Sequence, residues 1–137
     1  MYLLDTYILS ELIKKSPNPN VLSHLNTKAA QTLFTSSICV MELRFGSALR
    51  EDSEVFWQRI NKEIISRVKI IRLGLKEALA AGDILVSLRK SGQIIGIEDV
   101  LIAASALSNQ CSIVTANTRH FSRISGLKIE NWLESYR

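Results

Sequence analysis

Residues 1–12 read MYLLDTYILSEL, and Asp5 interrupts an otherwise apolar passage from Leu3 and Leu4 into Ile8 and Leu9. Before the aspartate, YLL has the form of a short strand. After it, TYILSELIKK (6–15) sets Ile8, Leu9, Leu12 and Ile13 at helical spacing, with Thr6 available as the cap. A strand that feeds a helix through a single carboxylate is the opening move of an α/β domain. Burying a lone carboxylate is costly unless something compensates it, so Asp5 calls for a partner, a metal or a wet cleft.

The pattern continues outward from there. SPNPN breaks the first helix, and NVLSHLN (20–26) predicts a second, short one. TLFTSS (32–37) is β-rich and ends in hydroxyls that can cap the helix ICVMELRFGSAL (38–49). EDSEVFWQRINKEIISRV (51–68) opens with acids and sets Val55, Phe56, Ile60, Ile64 and Ile65 near one face. KIIRL (69–73) predicts a strand, and LKEALAAGDILVSLRKSG (75–92) a longer helix stopped at Ser91-Gly92. QIIG is a short extended link. IEDVLIAASALSN (97–109) is apolar almost all round, the mark of a buried helix, with Glu98 and Asp99 in its first turn. CSIVTA (111–116) reads as a central strand, NTRHF as a turn into a short helix, and LKIENWLESYR (127–137) closes the chain. Strands alternating with helices across long connections predict a parallel sheet sandwiched by helices.

At 137 residues, 47% hydrophobic and 22% charged, the chain fits one ordinary globular domain and excludes disordered and fibrous classes. Its longest apolar stretches fall short of the roughly 18 to 20 residues of a membrane span, and acidic Asp5 sits where a signal peptide carries Lys or Arg. A cytoplasmic protein with no membrane association is the expectation. Cys39 and Cys111 match no metal spacing and lie among apolar neighbours, so both are expected as buried free thiols. The formal charge of +4 is compatible with a polyanionic partner but does not select one. The cations are spread along the chain, so any basic surface has to be assembled by folding.

In open α/β sheets ligands gather beyond the carboxyl ends of the strands. Asp5 directly follows the first strand, and Asn117 comes three residues after Val114 in the last. Glu42 and Asp99 lie early in helices that follow extended segments. An acid in a helix's first turn is commonly dipole complementation, and Asn117 alone would be a turn residue. Glu42, between Met41 and Leu43, is harder to dismiss. Three carboxylates and an amide with little cationic compensation nearby make a hard-metal site for Mg²⁺ or Mn²⁺. Gly-rich phosphate loops, nucleophile elbows and His-rich metal spacings do not occur. His24 reads as structural, and His120 as a surface residue close to the proposed site.

With these residues assembled, the sequence resembles the PIN-domain family, and within it the VapC-type toxin ribonucleases. YLLDTYILSEL is similar to the family's strand-D-T-N-helix start, and SSICVMELRFG resembles its second acidic motif. QIIGIEDVLIAASAL matches the I-G-x-x-D-x-x-I-A-A segment, and IVTANTRHFSRISGLKIENW is similar to the closing T-x-N-x-x-x-F…G-L…W run. The resemblance implies a single PIN domain over residues 1–137. Its fold would be a flavodoxin-like, three-layer α/β/α sandwich with a central, mostly parallel sheet. It also implies a metal-dependent endoribonuclease, the toxin of a type II toxin–antitoxin pair, acting on RNA such as tRNA or rRNA. The partners implied are a cognate antitoxin and a second copy in a homodimer, with a higher assembly when the antitoxin is bound.

Carried over by position, Asp5, Glu42 and Asp99 would bind the metal, and Asn117 would take the fourth catalytic place. Thr6 would orient the first aspartate, and Arg44 and Arg119 would position phosphate. Tyr7 stands where the family has Asn, replacing an amide with a phenol, and His120 stands where many relatives carry an acid. Those two departures define the competing reading, a PIN-like module that occupies an antitoxin or RNA without cutting it. A phosphorylated receiver domain ranks last, because Asp5 is not followed by a second acid and Asn117 stands where a lysine is expected.

Overall fold

The computed structural model describes residues 1–134; the final three residues of the expected tail lie outside the described residues. Strand β1 (Tyr2–Leu4) buries Leu3 and Leu4 completely and hands over to helix α1 (Thr6–Glu11). The cap of α1 is Asp5 rather than Thr6: its carboxylate accepts the Ile8 N–H at 3.0 Å. This corrects the expectation, and the reason is positional. The residue leaving an extended strand already holds the non-helical backbone an N-cap needs. Helix α1 is also shorter than its periodicity suggests. Past Glu11 the chain turns, and the Glu11 carboxylate accepts from Lys14 Nζ and from the Asn18 N–H. Asn18 then caps α2 (Pro19–Asn26), with Pro19 in the first turn, where a missing N–H costs nothing.

Strand β2 (Leu33–Ser36) leads into α3 (Ser37–Ala48), and the Ser36 hydroxyl caps it as expected by accepting the Cys39 N–H at 3.1 Å. Helix α4 (Ser53–Glu63) buries Ile60, with Ile64 just beyond its end, but leaves Val55 67% exposed, outside the face its spacing suggested. Strand β3 (Lys69–Ile71) precedes α5 (Leu75–Lys90), whose end at Ser91-Gly92 falls where expected, with Gly92 at φ 67°. Helix α6 (Ile97–Ser108) is the buried helix, with Val100, Ala103, Ala104, Ser105 and Ala106 fully covered. Strand β4 (Ser112–Val114), α7 (Thr118–Phe121) and β5 (Ile129–Glu130) complete the chain. The sequence pattern had not separated β5 from the tail.

The five strands form one sheet in the order β3-β2-β1-β4-β5, every pairing parallel. Helical crossovers carry the chain outward in one direction from β1 to β3 and in the other from β4 to β5, with helices flanking the sheet. The direction of winding reverses between β1 and β4, which makes their carboxyl ends the crevice where ligands bind in such sheets. Cys39 and Cys111 are buried and free. His24 stacks on buried Trp132 at 5.3 Å, the structural use expected of it. No helix among the described residues is long and apolar enough to cross a membrane.

Candidate active site

The switch point carries a cleft of about 460 Å³ lined by Asp5, Thr6, Tyr7, Glu42, Asp99 and Asn117, with Ile102 and Ala116. Asp5 is tied to it through the backbone, its N–H donating to the Val114 carbonyl of β4 at 3.0 Å. Helix α3 brings Glu42 in from its second turn, and α6 brings Asp99 in from its first. Three carboxylates far apart in sequence thus line one opening.

Each is held by a different neighbour. The Thr6 hydroxyl donates to Glu42 Oε1 at 2.6 Å, so Thr6 supports the second acid of the set rather than the aspartate beside it. The Thr115 hydroxyl bonds the Asp5 carboxylate and accepts the Asn117 N–H at 2.9 Å, locking the end of β4 to the end of β1. His120 Nδ1 stands 3.4 Å from Asp99 Oδ2 and 2.9 Å from Asn117 Nδ2. That histidine, read as a surface residue, is half-buried and joins the acid of α6 to the amide after β4.

Asp5 is only 8% exposed, and burial pushes its carboxyl above the ordinary carboxylate range. Hydrogen bonds from Thr115 and the Ile8 N–H oppose the shift, while the nearby charges of Asp99 and Glu42 add to it. The site therefore has a surplus of negative charge that a cation relieves. Among the described residues no three His, Cys, Asp or Glu side chains stand close enough to bind one ion together. The donor set is all oxygen and opens onto solvent, a chemistry that fits a hard divalent cation such as Mg²⁺ or Mn²⁺.

Arg44 and Arg119 are not brought to the cleft wall. The Arg44 guanidinium lies over the Trp57 ring at 5.0 Å, and Arg119 is exposed on α7. A second groove shares Thr6 and Glu42 with the cleft and is lined by Lys14, Arg50 and Arg59. Lys14 also reaches over the half-exposed Tyr7 ring at 5.5 Å. Sequence reasoning missed Thr115 and this cationic groove. A threonine closing a strand was the visible sign of the first; the second joins α1, α3 and α4 and has no local sign.

A parallel sheet with acids gathered at its switch point defines a class, and the PIN-domain profile matches residues 2–127 of the chain. Ribonuclease VapC2 of Haemophilus influenzae is 37% identical over 132 residues, 96% of this chain and 98% of that protein. The tRNA(fMet)-specific endonuclease VapC of Shigella flexneri is 32% identical over 131 residues, 96% and 97% of the two chains. Among solved structures, VapBC2 from Rickettsia felis, bound to a DNA fragment from its promoter, superposes with a TM-score of 0.87 at 32% identity. That match covers 96% of this chain and 98% of the other. This chain belongs to the PIN-domain family, among its VapC-type toxin ribonucleases.

Proposed function

We propose that the protein is a metal-dependent endoribonuclease, the toxin of a type II toxin–antitoxin pair, hydrolysing phosphodiester bonds in RNA. The observation that carries this is the meeting of Asp5, Glu42 and Asp99, from three distant elements, around one cleft at the sheet's switch point. Asp5, Glu42 and Asp99 would hold the ion between them, in part through water, and Asn117 completes the rim. A bound divalent cation supplies activation of a water at neutral pH and charge stabilisation on the phosphate oxygens.

The chain's own residues do the rest. Thr115 and the Ile8 N–H fix the Asp5 carboxylate, Thr6 fixes Glu42, and His120 orients Asp99 against Asn117. The neighbouring groove is lined by Lys14, Arg50 and Arg59, each paired with a carboxylate of Glu11, Asp52 or Glu63, so an RNA phosphate bound there would compete with those acids for the cations. Intact carboxylates argue against the module that binds without cutting. Substrates of the tRNA or rRNA class, a cytoplasmic location, an antitoxin partner and a homodimer belong to the same proposal. The antitoxin rests on the toxin reading, which similarity to Toxin FitB of Neisseria gonorrhoeae supports at 30% identity over 126 residues, 88% of this chain and 91% of that protein.

The test is cleavage of structured RNA with Mg²⁺ or Mn²⁺ by wild type, Asp5→Ala and Asp99→Ala proteins, each first shown to be folded. The variants should lose at least about 100-fold in rate, and calorimetry should register weaker binding of the ion. Wild-type cutting by either variant would remove that residue from the site. Undiminished wild-type cutting in excess chelator would remove the metal.

A further inference from the structure

Tyr7 is placed unlike its neighbours on α1. Ile8 and Leu9 are fully buried, whereas Tyr7 is 51% exposed and is not among the side chains packed against the core. Its hydroxyl has no hydrogen-bond partner among the described residues. Neither burial nor a polar bond therefore accounts for a ring at this position, where the family carries an amide. Of the exposed large apolar side chains, Tyr7 is the one that lines the acidic cleft, beside Asp5, Glu42 and Asp99. The ring is also held in place. Lys14 Nζ stands over it, 5.5 Å from the centroid, and is itself bonded at 2.7 Å to Glu11, a carboxylate only 5% exposed. An ammonium anchored on a buried acid has little freedom, so its attraction to the ring face fixes how the ring stands. Lys14 lines the neighbouring groove and Tyr7 the cleft, which puts the ring on the ridge between them.

We infer that the Tyr7 ring stacks on a nucleobase of the bound RNA, the base next to the phosphate at the acidic cleft. The inference deepens the nuclease reading above and rests on it. A phosphate brought to Asp5, Glu42 and Asp99 carries its nucleosides to the cleft rim, because a base lies only one sugar away from its phosphate. The rim offers that base one flat apolar surface. Apart from Tyr7, the lining consists of acids, an amide, a hydroxyl, a small alanine and Ile102, which is buried. A ring engages the π-face of a base rather than its edge, so the contact adds affinity while tolerating any base. Lys14 acts here through the ring and not as a phosphate ligand. Tyr7 is thus a substrate-binding residue peculiar to this chain: the ring supplies affinity, and the carboxylates supply rate.

The test is read by binding, in full-length Asp5→Asn protein, which keeps an acceptor for the Ile8 N–H and should hold RNA uncut. Single-stranded RNA of about 12 nucleotides, carrying 2-aminopurine at successive positions, should lose fluorescence on binding at one position above all. Adding Tyr7→Leu should abolish that quenching and raise the dissociation constant about 10-fold, whereas Tyr7→Phe should change neither. The melting temperature should stay the same throughout, because the ring is exposed. RNA with an abasic sugar at the quenched position should bind the parent and its Tyr7→Leu variant alike. In cleavage by otherwise wild-type protein, Tyr7→Leu should raise KM with kcat little changed. No quenching at any position, quenching that survives Tyr7→Leu, an equal loss on the abasic RNA, or Tyr7→Phe as weak as Tyr7→Leu would overturn the assignment. Tyr7→Asn protein that binds as tightly as its parent would do the same. A wild type that cuts no RNA would instead overturn the nuclease reading, since quenching and affinity are measured without cutting.

Discussion

Replacing Asp5 by Asn keeps an oxygen to accept the Ile8 N–H but removes a charge that burial, Asp99 and Glu42 all disfavour. Because the folded state raises this pKa, it binds the Asp5 proton more tightly than the unfolded chain does. Stability is therefore lost as pH rises from 3.8 through the folded pKa. Without metal, Asp5→Asn protein should melt higher than wild type at pH 7, by at least about 3 °C, and the gap should close toward acid. Added Mg²⁺ should raise the wild-type melting temperature and not that of the variant. Equal melting at pH 7 would mean that the carboxylate is not strained. Thr115 invites a different measurement. Thr115→Val should lower kcat about 10-fold with KM little changed, and Thr115→Ser should restore it, since only the hydroxyl links Asp5 to the Asn117 N–H. Full activity in the valine variant would make this threonine a packing residue only.

At the level of elements, the caps decide where helices begin and what they bring. Glu77 accepts the Gly74 N–H at 2.9 Å and the Asn109 amide at 3.0 Å, tying the start of α5 to the end of α6. These hydrogen bonds hold its carboxyl below the ordinary range. The stability that Glu77 confers is thus fully present above pH 4.5 and is lost as pH falls through its folded pKa. Glu77→Ala should cost about 1–2 kcal/mol in urea melts at pH 7, with a smaller difference in acid. An unchanged midpoint would show that the cap is idle. The periodicity of α3, α5 and α6 was legible because each helix is long and buries one face or all of itself. The assignment of the α1 cap to Thr6 failed because Asp5, the stronger capping residue of the two, also holds the extended backbone at the strand's end that a cap needs. Val55 misled because α4 packs along Ile60 and Ile64, a choice made by its neighbours.

For the whole molecule, the cations are dispersed in sequence and partly regrouped in space around the acidic cleft. RNA binding at fixed metal should therefore weaken at least about 10-fold between 50 and 200 mM salt, and Lys14→Ala with Arg59→Ala should flatten that slope. A slope unchanged by the pair would assign the RNA path to another face. The sequence by itself determined the α/β class, the order of its longer elements, the strand-end position of Asp5 and the acids Glu42 and Asp99. These are written in local periodicity and in charges set where apolar residues belong. Tertiary structure alone decided that β4 lies beside β1, that β5 adds to the sheet, and that Arg44 turns to Trp57 while Lys14 and Arg59 line the groove. It also decided that Thr6 and Thr115 each hold a different carboxylate. The reason is physical: hydrogen bonds and packing between residues 13 to 110 positions apart leave no periodic trace in the chain, and only folding brings their partners within reach.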